Sequence, residues 1–144
     1  MKRKPVNILI VDDRADDLEL ARVAFERASV PNRLFSVTDG EAALDYLAGK
    51  NHYHDRERFP FPDIMLLDLK MPKLNGFEVL QTARWTHNIP NLLIYMLSVS
   101  DLDRDIERAY ALGANAYLVK PTDFALLTKM FESLLTFHTL IAPP

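Results

Sequence analysis

Five residues of this chain could do chemistry together: Asp12, Asp13, Asp68, Ser98 and Lys120. Each sits at the end of a short, almost continuous apolar run. Asp12 and Asp13 follow Asn7-Ile8-Leu9-Ile10-Val11. Asp68 follows Asp63-Ile64-Met65-Leu66-Leu67, Ser98 follows Leu92-Leu93-Ile94-Tyr95-Met96-Leu97, and Lys120-Pro121 follows Ala116-Tyr117-Leu118-Val119. Three carboxylates brought close together repel one another, and at least one must then take a proton. A hard divalent cation removes that conflict. Mg²⁺ prefers oxygen ligands, accepts one or two carboxylates and keeps waters that a phosphoryl oxygen can replace. Lys120 is a mobile point charge suited to phosphate, and Ser98 offers a hydroxyl donor. No histidine or cysteine nucleophile accompanies the set, and no general base adjoins Ser98. Asp68 is a carboxylate nucleophile candidate of the kind that accepts phosphoryl groups. In-line phosphoryl transfer needs mainly positioning and charge neutralisation, which a cation and Lys120 supply.

These residues act together only if the chain gathers them. Nearly continuous apolar runs mark strands buried on both faces, as in a parallel sheet covered by helices. A fifth, weaker run is Leu34-Phe35-Ser36-Val37. Helical patterns separate the runs. One spans Asp16 to Ala28. Thr38-Asp39-Gly40-Glu41 reads as a capping box opening a helix to about Leu47, and Asn75-Gly76-Phe77-Glu78 opens another in the same way. Ser100-Asp101-Leu102-Asp103 opens a fourth that Gly113 closes, and Thr122 caps a fifth running to about His138. Five strand–helix units predict an α/β fold, a doubly wound (βα)5 sandwich of flavodoxin-like strand order 2-1-3-4-5. That order makes the first and third strands neighbours, so Asp12, Asp13 and Asp68 meet at one edge. The segment from Lys50 to Pro62 is long for a connection of about 2–6 residues. Its His52 and His54 suggest a metal site less readily than a solvated loop anchored by Phe59 and Phe61.

Composition narrows the function. The chain has 144 residues, no cysteine and a formal net charge of −3, with 49% hydrophobic and 26% charged residues. A real core fits that length without staples. Absence of cysteine excludes disulfides, thiolate metal sites and thiol nucleophiles; it fits a reducing compartment, and the expected location is cytoplasmic. The acidic balance, with no basic stretch after residue 138, argues against direct DNA contact. No apolar run approaches the ~18 residues of a membrane span. Residues 1–144 are expected to form one domain with an apolar extension over 136–144.

The motifs resemble those of response-regulator receiver domains of two-component signalling. Ile10-Val11-Asp12-Asp13, Leu66-Leu67-Asp68-Leu69-Lys70-Met71-Pro72 with Gly76 after it, Leu97-Ser98 and Tyr117-Leu118-Val119-Lys120-Pro121 stand in that family's order, from about Val6 to Leu135. The resemblance implies that Asp68 accepts a phosphoryl group from a sensor histidine kinase. It implies that Asp13 and Asp68 ligate Mg²⁺ directly, with Asp12 acting mostly through water and the backbone carbonyl of Lys70 completing the set. Ser98 and Tyr117 would form a conformational relay, and a cis peptide between Lys120 and Pro121 would aim the lysine inward. The long segment before the third strand and the apolar ending look like the small regulators paired with phytochrome-type kinases.

The last helix carries Leu126, Leu127, Met130, Phe131, Leu134, Leu135 and Phe137, and Leu140-Ile141 follow before Pro143-Pro144. This is either a wide core face or a contact with a second copy or partner helix, with Phe131, Leu134, Phe137, Leu140 and Ile141 as the interface candidates and a symmetric homodimer as the default. Two rival functions are a Mg²⁺-dependent phosphatase working through an aspartyl-phosphate and a pseudo-receiver that no longer takes phosphate. The first lacks a cap domain and a second acid. The second is disfavoured because every acidic, hydroxyl and lysine position is filled.

Overall fold

The structure is a computed structural model that describes residues 4–141. Five parallel strands alternate with helices: β1 (Val6–Val11), α1 (Ala15–Glu26), β2 (Asn32–Val37), α2 (Gly40–Ala48), β3 (Ile64–Leu67), α3 (Gly76–Gln81), β4 (Leu93–Ser98), α4 (Asp103–Ala111), β5 (Ala116–Val119) and α5 (Phe124–Leu140). The strand order is β2-β1-β3-β4-β5, as the apolar runs predict. Pro143-Pro144, read as the stop of the tail, lie outside the described residues, as do the other ends of the 1–144 span. No helix among the described residues is long and apolar enough to cross a membrane.

Side chains of each strand alternate between two cores. Ile8, Ile10, Ile64 and Leu66 pack with Ala21, Ala24 and Phe25 of α1 and Leu127, Phe131 and Leu135 of α5. Leu9, Val11, Met65 and Leu67 pack with Tyr46, Leu47, Phe77, Leu80 and Ala109 from the helices on the opposite face. Burial on both faces is why the runs read as apolar throughout. β2 begins at Asn32, two residues before its apolar stretch, because Asn32 pairs with Val6 at the start of β1.

Phe131 belongs to this core and is a correction to the interface set. It is 0% exposed and stacks on Phe25 with ring centroids 4.3 Å apart. Leu134 is half-buried, whereas Phe137 and Leu140 are 62% and 74% exposed and Ile141 is exposed. The core reading therefore holds as far as Leu135, and beyond it Phe137, Leu140 and Ile141 are the interface candidates left exposed. Phe137 and Ile141 line an apolar groove of about 500 Å³ with Tyr95, Leu118, Met130 and Leu134.

Helix starts differ in detail from the sequence reading. Asp39, rather than Thr38, caps α2 by accepting from Ala42 N at 2.7 Å, and Asp123, rather than Thr122, caps α5. The full capping box forms at α3 between Asn75 and Glu78. α3 continues as a π-helical turn over Thr82–Thr86, with His87 N donating to Thr82 O. Arg84 from that turn donates to Gly113 O, Ile89 O and Asn115 Oδ1, tying it to the approach to β5.

The long connection is ordered chiefly by Arg56. Its guanidinium donates to the last carbonyls of α2, Tyr46 O and Leu47 O, and to Phe59 O. Phe59 anchors the segment against Tyr46 and Tyr53, but Phe61 is 42% exposed beneath the Arg56 guanidinium and anchors nothing in the core. His52 packs tilted against Tyr53 and edge-on against Phe59.

Gly76 lets α3 start directly against the end of β3. A Cβ there would lie 2.4 Å from Asp68 O and 2.8 Å from Leu69 Cα, both backbone atoms. Gly76→Ala should therefore cost about 1–3 kcal/mol through overpacking. Urea unfolding should show a lowered midpoint with an unchanged slope; an unmoved midpoint would contradict this close approach.

Candidate functional site

The carboxyl ends of β1, β3, β4 and β5 converge on one cleft. Register does the work: Val11 pairs with Leu67 across β1 and β3, and Ser98 pairs with Val119 across β4 and β5. The residues just past those pairs are Asp12, Asp68 and Lys120. Backbone hydrogen bonds carry each ladder one step further, from Asp12 N to Val37 O, Asp68 N to Val11 O and Lys120 N to Ser98 O. The site residues thus leave the sheet at fixed heights and directions.

Asp12, Asp13 and Asp68 each place one carboxylate oxygen within 4.8 Å of the other two. Asp12 is buried, Asp68 half-buried and Asp13 exposed. Burial pushes the Asp68 carboxyl up to about 6; Lys120 opposes this, while Asp12 and Asp13 add to it. Lys120 Nζ donates to Asp12 Oδ2 and to Asp17 Oδ2, both at 3.1 Å. Burial by itself would lower the Lys120 ammonium, but Asp12, with Asp17 and Asp68, outweighs it, and the net shift is upward. Asp12 Oδ1 accepts from Arg14 N at 2.9 Å, so both of its oxygens are already engaged.

The donor set fits a hard divalent cation. All three ligand atoms are oxygens, they lie close enough to share one ion, and no other cation than Lys120 is bonded to the cluster among the described residues. Around the cluster runs a cleft of about 480 Å³ lined by Arg14, Leu20, Lys70, Ser98, Val99 and Leu127 among others. The Lys70 side chain is exposed and Val99 is 67% exposed, so both stand at the rim rather than over the carboxylates.

One expectation fails here. No peptide bond among the described residues is cis, so the Lys120–Pro121 bond is trans. Lys120 still points into the site, because its backbone N–H is fixed by Ser98 O and its ammonium is held by two carboxylates. Trans is the lower-energy isomer, and the lysine needs no cis bond to reach inward.

Ser98 is buried, and its Oγ accepts from Ser100 N at 3.1 Å. Tyr117, half-buried, donates its phenol to Ser100 O at 2.9 Å. The two relay candidates therefore meet through the backbone of Ser100. Ser100 Oγ donates to Asp105 Oδ2 at 2.7 Å and accepts from Leu102 N, linking the same residue to α4. Ser100 is not the N-cap of α4, whose cap position is Leu102 with no side-chain acceptor. Asp17 and Ser100 are the participants that sequence reasoning missed. A first turn containing Asp16 and Asp17 offers two acids, and no pattern says which one faces inward.

The response regulator receiver domain matches residues 8–132. The chain belongs to this family. It is 30% identical over 133 residues to response regulator Rcp1 of Synechocystis, covering 92% of this chain and 88% of Rcp1. The Mn²⁺-bound form of Rcp1 superposes with a TM-score of 0.83 at 29% identity, over 97% of this chain and 99% of that one. Response regulator RPA3017, in red light signalling of R. palustris, superposes with a TM-score of 0.85 at 39% identity, over 92% of each chain. The phosphorylated cyanobacterial phytochrome response regulator RcpA does so at 0.86 and 28%, over 97% and 98%. As a receiver, the chain is a response regulator of two-component signalling, and its like neighbours include phytochrome response regulators.

Burial of Asp68, with Asp12 and Asp13 beside it, gives this receiver a pH signature. Unfolded, Asp68 loses its proton near 3.8; folded and metal-free, it does so near 6. Between those values the folded state binds more protons, so stability falls as pH rises through the window, and the cost is complete above it. Asp68→Asn removes the cost. It should stabilise the metal-free protein by about 1–2 kcal/mol at pH 7.5, after allowance for solvent screening. Urea unfolding at several pH values should show the gain vanish below about pH 4; a gain independent of pH would contradict the assignment.

Proposed function

We propose that this receiver takes a phosphoryl group on Asp68 from a sensor histidine kinase and signals through its α4-β5-α5 surface. The observation that carries the reading is the shared position of three carboxylates and Lys120 at one sheet edge. Asp13 and Asp68 directly, Asp12 through water and the carbonyl of Lys70 would hold Mg²⁺, which would supply charge neutralisation. An Asp68 oxygen forms the new bond to phosphorus as the donor's bond breaks. Lys120 sits beside the incoming negative charge, and the cleft admits the donor between α1 and α5. The Mn²⁺-bound Rcp1 neighbour supports a divalent ion, and the names of Rcp1, RcpA and RPA3017 support a phytochrome-type kinase as partner. A cytoplasmic location follows from that partnership.

Phosphorylation adds about −1.5 to −2 charge. Ser98 Oγ, now accepting from Ser100 N, turns to donate to a phosphoryl oxygen. Ser100 then loses one of its restraints, and Tyr117 and α4 are both bonded to that residue. The change reaches α4, β5 and α5 without a moving domain. Phe137, Leu140 and Ile141 project from the end of α5 and give a homodimer contact its apolar surface. The phosphatase reading gains nothing from the fold: the 51–61 segment is pinned to α2 by Arg56 and covers no part of the cleft.

Incubation with a small acyl phosphate and Mg²⁺, followed by intact mass measurement, tests the acceptor. The parent should gain one phosphoryl mass and Asp68→Asn none. Turnover of many unrelated phosphate esters would favour the phosphatase, and no adduct with no Mg²⁺ binding would favour the pseudo-receiver. Sedimentation tests the contact: Phe137→Ser should shift the protein toward monomer at concentrations where the parent self-associates, and a parent that stays monomeric to high micromolar concentration would overturn the dimer.

A further inference from the structure

Lys120 has three N–H donors, and both hydrogen bonds it makes among the described residues go to the α1 side of the cleft, to Asp12 and Asp17. Asp12 shares the carboxylate cluster with Asp68, whereas Asp17 stands outside it on α1. The Lys120 side chain is 14% exposed and Asp17 26%, so their ion pair is only partly screened by water. Asp17 has a second cation at hand, since Arg14 Nε lies 3.8 Å from the same Oδ2 and is largely exposed. Asp16, its neighbour in the first turn of α1, is exposed and pairs with neither Lys120 nor Arg14.

We propose that Asp17 is a positioning residue that parks Lys120 in the unphosphorylated receiver, so that its ion pair must be given up when a phosphoryl group on Asp68 draws the lysine away. This rests on the reading of Asp68 as phosphoacceptor. The reasoning is one of competing anions. A phosphoryl group carries more charge than a carboxylate and would sit on Asp68 at the end of β3, inside the carboxylate cluster, whereas Asp17 lies on α1 outside it. Contact with Asp12 can persist as Lys120 turns, because Asp12 lies in the same cluster as Asp68. Contact with Asp17 cannot be held equally well, and Arg14 takes over the vacated carboxylate. Asp17 therefore sets how much of the phosphoryl group's attraction for Lys120 is spent on breaking an existing pair. Its presence favours the resting state and tunes the threshold of the switch without touching the reacting atoms.

Beryllofluoride, a phosphoryl analogue that binds aspartate, tests this at saturating Mg²⁺. The parent should bind it; if it does not, the acceptor reading and this inference fall together. Asp17→Asn should tighten binding about threefold to fivefold, as for loss of a partly screened ion pair. Asp16→Asn removes the same charge one residue away and should leave affinity nearly unchanged. The ε-methylene NMR resonance of Lys120 in the analogue-free protein should move in Asp17→Asn and stay in place in Asp16→Asn. Asp17→Glu, which keeps a carboxylate in reach, should restore affinity toward the parent. Binding by the parent with equal effects of Asp17→Asn and Asp16→Asn, or an unmoved Lys120 resonance in Asp17→Asn, would overturn the inference and leave the acceptor reading standing.

Discussion

Everything in this molecule answers to one electrostatic constraint: three carboxylates and one ammonium share a partly buried corner of the sheet. Burial makes a charged Asp68 costly there, and the neighbouring carboxylates of Asp12 and Asp13 add to that cost. Lys120 offsets part of it but spends its hydrogen bonds on Asp12 and Asp17. What remains is a site short of positive charge. Such a site is ready for a divalent ion and, with that ion, for the phosphoryl group that the ion and lysine together can hold. The fold maintains this tension rather than relieving it. Strand register sets the carboxylates side by side, and Gly76 keeps α3 tight against the backbone that carries Asp68.

Coupling outward runs through a single residue. Ser98 and Tyr117 share no hydrogen bond; each bonds the backbone of Ser100, one at its N–H and the other at its carbonyl. The Ser100 hydroxyl adds a bond to Asp105 on α4. In the proposed mechanism, a displacement of Ser98 by the phosphoryl group would reach both Tyr117 and α4 through these bonds. Short, specific hydrogen bonds at one backbone position are a compact way to join a buried charge event to a surface. Across that surface the core ends at Leu135, and the exposed Phe137 and Leu140 begin.

Much of this was legible in the chain. Continuous apolar runs identified strands buried on both faces, and the acids and the lysine immediately after them marked the edge where those groups meet. Asn75 with Glu78 signalled its helix because a capping box is a local device that needs no tertiary help. Reading failed where partners are distant in sequence. Phe131 looked like interface because a helix face cannot reveal that Phe25 stacks on it. Asp17 and Arg56 act on groups set by the fold, Lys120 across 103 residues and the end of α2 across a loop, and their neighbours look the same on paper. The π-helical turn at Thr82–Thr86 carries Arg84, which ties it to the Gly113–Asn115 segment, and no local pattern announces either. Lys120 aims inward by charge and register, so the expected cis bond proved unnecessary.

The central claim, that the crowded corner makes Asp68 a phosphoacceptor, is tested most directly by trapping the product. After transfer from a phosphohistidine donor in Mg²⁺, borohydride reduces an aspartyl-phosphate to homoserine, and peptide mass mapping locates it. The account predicts homoserine at position 68, in the peptide containing Leu67 and Leu69, and its loss when the ion is chelated beforehand. Homoserine at Asp12 or Asp13, or none anywhere while phosphate is transferred, would contradict it.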